Sequence, residues 1–390
     1  MRSKLGYVEG MRGIAALLVC VFHFLVVFSP AIISHDTRAL GLLGRLIATS
    51  PANILVSGNF AVCLFFVLSG YVLSFRIVGS GDYSPLWKAA LKRYPRLMLP
   101  TLASLLFAWV ILIGNGFFFS NLVQKIGRGL ADGYGEPRSF SSVLWQGAFG
   151  VFFAGDMRLN GILWTINTEL YGSYLVFGFM VLFDRSRWRL LAYVGAAVAL
   201  YGSYYMAFVL GLTIASIRPN VRPRPLIVTA LVVMGLWLGS YPSASAWEGI
   251  WLFPCLLFGD RPQIVSHVFG AACLLQAAIM SPAIDLFDHT IFRFLGRISF
   301  SLYLIHWTIL ASLTCWLVLR LEPLLGYLPS IGLAFAVTMP VTLAASYVFT
   351  RVIDEPSTRL ADRFARWVAA LRVVGFNRAR RSTSNTDFMY

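Results

Sequence analysis

The chain has 390 residues, 58% of them apolar and 13% charged, with a mean hydropathy of +0.73. Soluble domains run nearer ~45–50% apolar and ~25% charged, so a soluble protein is excluded. Net charge is +15, from 32 Lys and Arg against 17 Asp and Glu. In so apolar a chain that excess is sorted first by membrane topology, and nucleic acid is not expected as a partner.

The apolar residues come in runs of roughly 15–25, the length that crosses a ~30 Å hydrocarbon layer. They do not alternate with polar residues as the strands of a membrane barrel would. In chain order the predicted spans are 13–33, 54–77, 97–119, 162–183, 188–202, 204–217, 225–241, 264–281, 298–320 and 328–350. The fifth and sixth are short and separated only near Gly202 and Ser203. The stretch 247–258 is too short to span, carries Pro254, and reads as re-entrant or interfacial. The first run continues past Pro30 without a small-residue cleavage site, so it is read as a span and not a cleaved leader.

Ten spans put both termini on one face. With that face cytoplasmic, 24 basic residues fall inside and 8 outside, the bias of the positive-inside rule. The expected fold class is therefore all-α: a polytopic integral membrane protein of about ten transmembrane helices, both termini cytoplasmic. Residues 1–356 form its transmembrane domain. Residues 357–390 form a basic cytoplasmic tail, lying on anionic lipid headgroups at its start and disordered at its RARRSTSNTDFMY end. Cys20, Cys63, Cys255, Cys273 and Cys315 sit in apolar runs without a CxxC pair, and are expected as free packing thiols. No repeat symmetry is visible.

Ionisable groups within spans are costly and mark function by default. Arg12 and His23 are eleven residues apart, within ~20° of three full turns, so they share a helix face. The rise puts His23 ~16 Å from Arg12, near mid-membrane. Arg93 and Arg96 precede the third span at a spacing of three, which on a helix makes two guanidiniums a phosphate clamp. Glu169 lies ~10 Å inside the fourth span, after Trp164 at the interface. Tyr303 and His306 share a face of the ninth span, with His306 ~12 Å from the cytoplasmic side. His23, Glu169 and His306 are expected to reach one central cavity, while His35, His267 and His289 are read as structural or solvated. G-x-S-x-G, Walker A, Rossmann and H-E-x-x-H patterns are absent, and no metal site is expected.

The ordered set YVEGMRGIAALLVCVFHF, FFVLSGYVLSFR, KRYPRLMLP, LWTINTELYGSYLVF, LGRISFSLYLIHW and Asp354-Glu355-Pro356 resembles the membrane-bound acyltransferase-3 family of bacterial surface-glycan O-acyltransferases. The matches run from about residue 7 to 356. Departures are Glu9, where the family usually has Asp, and Asn167-Thr168 before Glu169. The resemblance implies acyl-CoA, in particular acetyl-CoA, as a cytoplasmic donor substrate, with no permanently bound cofactor. It implies as acceptor a hydroxyl of an exopolysaccharide or lipid-linked surface glycan, in a bacterial cytoplasmic (inner) membrane. Membrane lipid is the remaining partner.

On this reading Arg12, Arg93 and Arg96 hold the donor's phosphates and His23 is the general base. Glu169 or Glu355 orients an imidazole or binds a sugar hydroxyl, and Trp164, Tyr303 and His306 contact substrate. A transient acyl-His23 intermediate is the alternative route. Outer segments 120–161 and 242–263 are candidate acceptor platforms. The rival function is a proton-coupled secondary transporter of a sugar, anion or lipid using His23, Glu169 and His306 as a relay; the lack of repeats and the clustering of arginines at the inner mouth count against it.

Overall fold

The computed structural model describes residues 6–34, 40–126, 138–217, 224–242, 249–281, 287 and 289–384, with side chains through residue 370. Among these residues all regular structure is helical. The principal helices are α1 (Gly6–Phe28), α2 (Gly58–Phe75), α3 (Ser84–Ile113), α4 (Trp164–Phe183), α5 (Arg189–Ala199), α6 (Tyr205–Ile217), α7 (Pro225–Gly239), α8 (Pro262–Met280), α9 (Thr290–Leu325), α10 (Tyr327–Phe349) and α11 (Glu355–Ser384). A π-helical turn, Leu310–Thr314, lies inside α9, and another, Thr350–Asp354, joins α10 to α11.

Seven helical stretches are long and apolar enough to cross a membrane, and four apolar helices are shorter. The expected fifth and sixth spans are among the short ones. α5 has 11 residues and α6 has 13, about 17 and 20 Å at 1.5 Å per residue. Gly202, at φ +71°, turns the chain between them. Large apolar side chains such as Leu182, Val198 and Leu226 point outward, as a lipid solvent allows and water would penalise. The chain is a multi-pass membrane protein.

α1 packs along α9, α6 along α2, α7 along α8, and α11 along α3. Small residues set the closest approach, as in membrane interiors where apolar side chains gain nothing by leaving lipid. A Cβ on Gly296 would lie 2.3 Å from the Glu9 carbonyl oxygen, and one on Gly13 would lie 2.5 Å from the Gly296 nitrogen. Replacing Gly296 with Val should therefore push α9 off α1 and cost about 3 kcal/mol. A lowered Tm in detergent measures that cost, and an unchanged Tm refutes the tight contact.

One expectation about the end of the chain changes. The helical period persists from Glu355 to Ser384, so most of the expected tail is the amphipathic helix α11. Residues 385–390, expected disordered, lie outside the described residues, as do His35 and parts of the acceptor platforms at 127–137 and 243–248.

Candidate active site

A cavity of about 330 Å³ opens among α1, α2, α3, α4 and α9. One wall is apolar, from Val62, Phe65, Phe66, Leu68, Val72 and Leu73. Another carries Arg12, Lys92, Arg93 and Arg96 against the single carboxylate Glu169. The charge is in place because α3 begins at Ser84, well before its apolar part, so Arg93 and Arg96 stand one turn apart on a formed helix.

Arg93 pairs with Glu169 through Nη2 and donates from Nε to Ser173 Oγ at 2.7 Å. Ser69 Oγ donates to Glu169 Oε1 at 2.8 Å. Arg96 Nη1 donates to Thr358 Oγ1 and Lys92 Nζ to Asp362 Oδ1, each at 3.1 Å, so α11 reaches the cavity mouth. No described residue hydrogen-bonds the Arg12 guanidinium. Four cations around one carboxylate fit an anionic ligand, and phosphate suits guanidinium forks best.

His23 lies elsewhere. α1 and α9 run parallel in constant register: Gly13 meets Gly296, and ten residues further along both helices His23 meets His306. Their rings are 5.1 Å apart, with His306 Nε2 3.1 Å from His23 Nδ1. Hydrogen-bond partners fix the tautomers of a neutral pair. His306 Nδ1 faces the Leu302 carbonyl oxygen at 2.9 Å, which only accepts, so Nδ1 carries the proton and Nε2 the lone pair. His23 Nδ1 faces that lone pair and the Val19 carbonyl oxygen at 3.0 Å, so it too carries its proton. The lone pair of His23 is thus on Nε2, which leaves that nitrogen able to accept a proton.

Tyr303 connects the two regions. It lines the cavity, its ring lies 6.0 Å from that of His306, and Phe65 packs against it at 6.4 Å. Its hydroxyl donates to the Ile162 carbonyl oxygen and accepts from Thr165 Oγ1 at 2.7 Å. That proton is committed, so in this arrangement Tyr303 does not polarise a substrate carbonyl. The His306 nitrogen facing His23 is likewise an acceptor in the neutral pair, not a donor.

The expected single cavity holding His23, Glu169 and His306 is not what forms. Glu169 is held by Arg93 and Ser69 on the cavity wall, while the two imidazoles pair with each other behind Tyr303. Trp164 does not line the cavity; it packs against Tyr204 with ring centres 5.0 Å apart and the planes tilted by 45°. Glu355 does not line it either. Arg297, at 2.9 and 2.5 Å, and Arg351, at 3.2 Å, occupy its carboxylate. Of the adjacent acids Asp354 is the buried one, and it faces the field of Arg96 and Arg12. Neither Glu169 nor Glu355, one of which was expected to orient an imidazole, hydrogen-bonds a histidine. His267, read as structural or solvated, is fully buried between Asn59 and the Tyr241 carbonyl oxygen at 2.9 and 2.8 Å.

Lys92, Ser69, Ser173, Thr358 and Asp362 were not singled out from sequence as site residues. Lys92 adjoins the arginine motif, and its basic charge was the one available signal; serine and threonine in apolar runs give none. Among the described residues no cluster of three metal-ligating side chains occurs.

A family model described as an acyltransferase domain, that of acyltransferase-3, matches residues 5–350. The chain is similar to acyltransferase R4 of Phoma sp., 24% identical with 93% of this chain and 96% of that protein covered. It is also similar to acyltransferase clz18 of Cochliobolus lunatus, 24% identical with 92% and 95% covered. The O-acetyltransferase PaAT-1 of Phomopsis amygdali is 24% identical as well, with 93% and 84% covered. No solved structure matches the chain.

Proposed function

Because the chain belongs to the acyltransferase-3 family and is a membrane acyltransferase, we propose that it moves an acetyl group from acetyl-CoA on the cytoplasmic side to an acceptor hydroxyl. The observation carrying this reading is the cavity lined both by four cations and by an apolar row from α2. Phosphates of the donor fit the cations, and the pantetheine arm fits the apolar wall. Tyr303, packed on Phe65, lines the cavity and touches His306, the partner of His23. His23 Nε2 takes the proton of the acceptor hydroxyl as its oxygen attacks the thioester carbonyl carbon. The tetrahedral intermediate collapses with loss of the CoA thiolate, which regains the proton from the imidazolium.

Glu169 balances Arg93 and keeps the clamp folded while empty. The basic bias supports ten crossings with both termini cytoplasmic, the short α5, α6 and α7 completing the count. The acceptor we propose is an exopolysaccharide or lipid-linked sugar hydroxyl. The setting we propose is a bacterial cytoplasmic membrane, which the excess of Arg over Lys supports through a GC-rich coding sequence. The three relatives above are fungal.

Labelled acetyl-CoA given to inverted vesicles tests the donor and the acceptor together. Label should appear in a glycan or lipid-linked sugar. Label in a small lipophilic alcohol instead would keep the donor and replace the acceptor. Sugar or proton flux without transfer would favour the transporter.

His306 acts through His23, and its replacement by Ala should lower kcat about 10- to 100-fold with KM nearly constant, because His23 loses one of the two acceptors that fix its tautomer and the ring that holds it in place. His306→Gln places a carbonyl oxygen near the lost Nε2 and should restore part of kcat. Equal losses for Ala and Gln would count against the tautomer argument.

A further inference from the structure

We propose that α11 docks on an anionic lipid surface through Leu360, Phe364 and Trp367, and that this docking holds the cationic mouth of the cavity in place. Three sides of α11 are chemically distinct. Ala361 and Ala365 are buried, at 1% and 4% exposure, where α11 packs along α3. Leu360, Phe364 and Trp367 are 52%, 42% and 60% exposed, and their spacing of four and three puts them in one stripe. Phe364 and Trp367 also touch each other, with ring centres 6.4 Å apart.

Arg359, Arg363 and Arg366 are exposed on the third side, away from α3. At ~100° per residue Arg359 and Arg363 border the stripe's outer margin. An apolar stripe edged by guanidiniums is the pattern of an interfacial helix: rings enter the acyl boundary while arginines meet lipid phosphates. The helix follows the apolar α10 after a single π-helical turn, so it leaves the bilayer beside the headgroups. Charge complementarity therefore favours an anionic leaflet over a protein partner.

The side of α11 toward α3 carries the link to the cavity. Thr358 accepts from Arg96 and Asp362 accepts from Lys92, and both donors line the cavity. A helix pinned to the leaflet fixes two of the four cavity cations; a helix lifted from it lets them swing. That these cations serve a CoA donor rests on the reading above, whereas docking does not.

The test is hydrogen exchange of the full-length protein in nanodiscs of phosphatidylcholine alone and with added phosphatidylglycerol, without donor. With phosphatidylglycerol, exchange should slow about fivefold at 355–370, as expected from roughly one arginine–headgroup contact, and also at 84–96. Phe364→Ser with Trp367→Ser should erase the lipid dependence in both segments. Thr358→Val with Asp362→Asn should leave it at 355–370 and remove it at 84–96. Equal exchange in the two lipids would overturn the docking. Protection confined to α11 in the unaltered protein would overturn the link to the cavity. Because no donor is present, failure of the acetyl-CoA reading would show separately, as intact lipid dependence with no label transferred.

Discussion

Replacing His23 with Ala should lower kcat for acyl transfer by roughly 10³-fold while KM for acyl-CoA changes little. The split follows from location. His23 lies in the imidazole pair beyond Tyr303, whereas the cations that suit the donor line the cavity on the other side. Removing the ring deletes the base without touching the phosphate contacts. Steady-state kinetics on detergent-purified protein separate the two constants. An equal rise in KM would mean that His23 binds the donor, and full activity would remove it as the base. A lasting acyl adduct on His23, seen by mass spectrometry after acetyl-CoA alone, would replace direct transfer by the two-step route.

The second large effect is expected at the Arg93–Glu169 pair. Glu169→Ala leaves Arg93 beside Arg12 and Arg96 with no carboxylate on the cavity wall, and should cost about 3 kcal/mol of stability. Arg93→Ala removes a charged donor from the clamp, and KM for acyl-CoA should rise roughly tenfold or more with a smaller change in kcat. It also strands Glu169, so Tm should fall in this variant too.

Pairing the changes as Arg93→Met with Glu169→Leu removes both charges and should leave the protein more stable than either single variant. Thermal unfolding of the wild type, Arg93→Met, Glu169→Leu and the double variant forms a double-mutant cycle. Additive losses would show that the pair carries no coupling and that Glu169 has another task, such as binding the acceptor. Losses in the cycle without a change in donor KM would make the cluster structural alone.

Several parts of this arrangement are legible along the chain because helices repeat locally. The eleven-residue interval puts Arg12 and His23 on one helix, and the three-residue interval makes Arg93 and Arg96 neighbours once α3 is helical. Both follow from ~100° per residue. Helix length is less secure, because apolar composition marks the break near Gly202 and Ser203 but not how many residues beside it stay helical. The region 188–217 reads as two spans, yet the turn at Gly202 leaves helices of 11 and 13 residues.

Partner choice was not legible at all. Glu169 is equally plausible beside an imidazole or a guanidinium until α3 and α4 are seen to meet at Ser173 and Arg93. Glu355 looks as promising as Asp354, but one turns outward to Arg297 and Arg351 and the other is buried.

The sequence by itself determined that the protein lives in a membrane and that its ordered motifs belong with membrane acyltransferases. Those properties depend on apolar run length, charge and short-range spacing, all carried within single helices. Only the tertiary structure decided that His23 pairs with His306, 283 residues away, with its free lone pair on Nε2. It also decided that Tyr303 spends its hydroxyl proton on Ile162 and that α11 closes on Lys92 and Arg96. The reason is that a tautomer or an ion pair depends on which helices approach. That approach is set by the glycine contacts of α1 with α9 and by side-chain packing across distant segments, not by any local period.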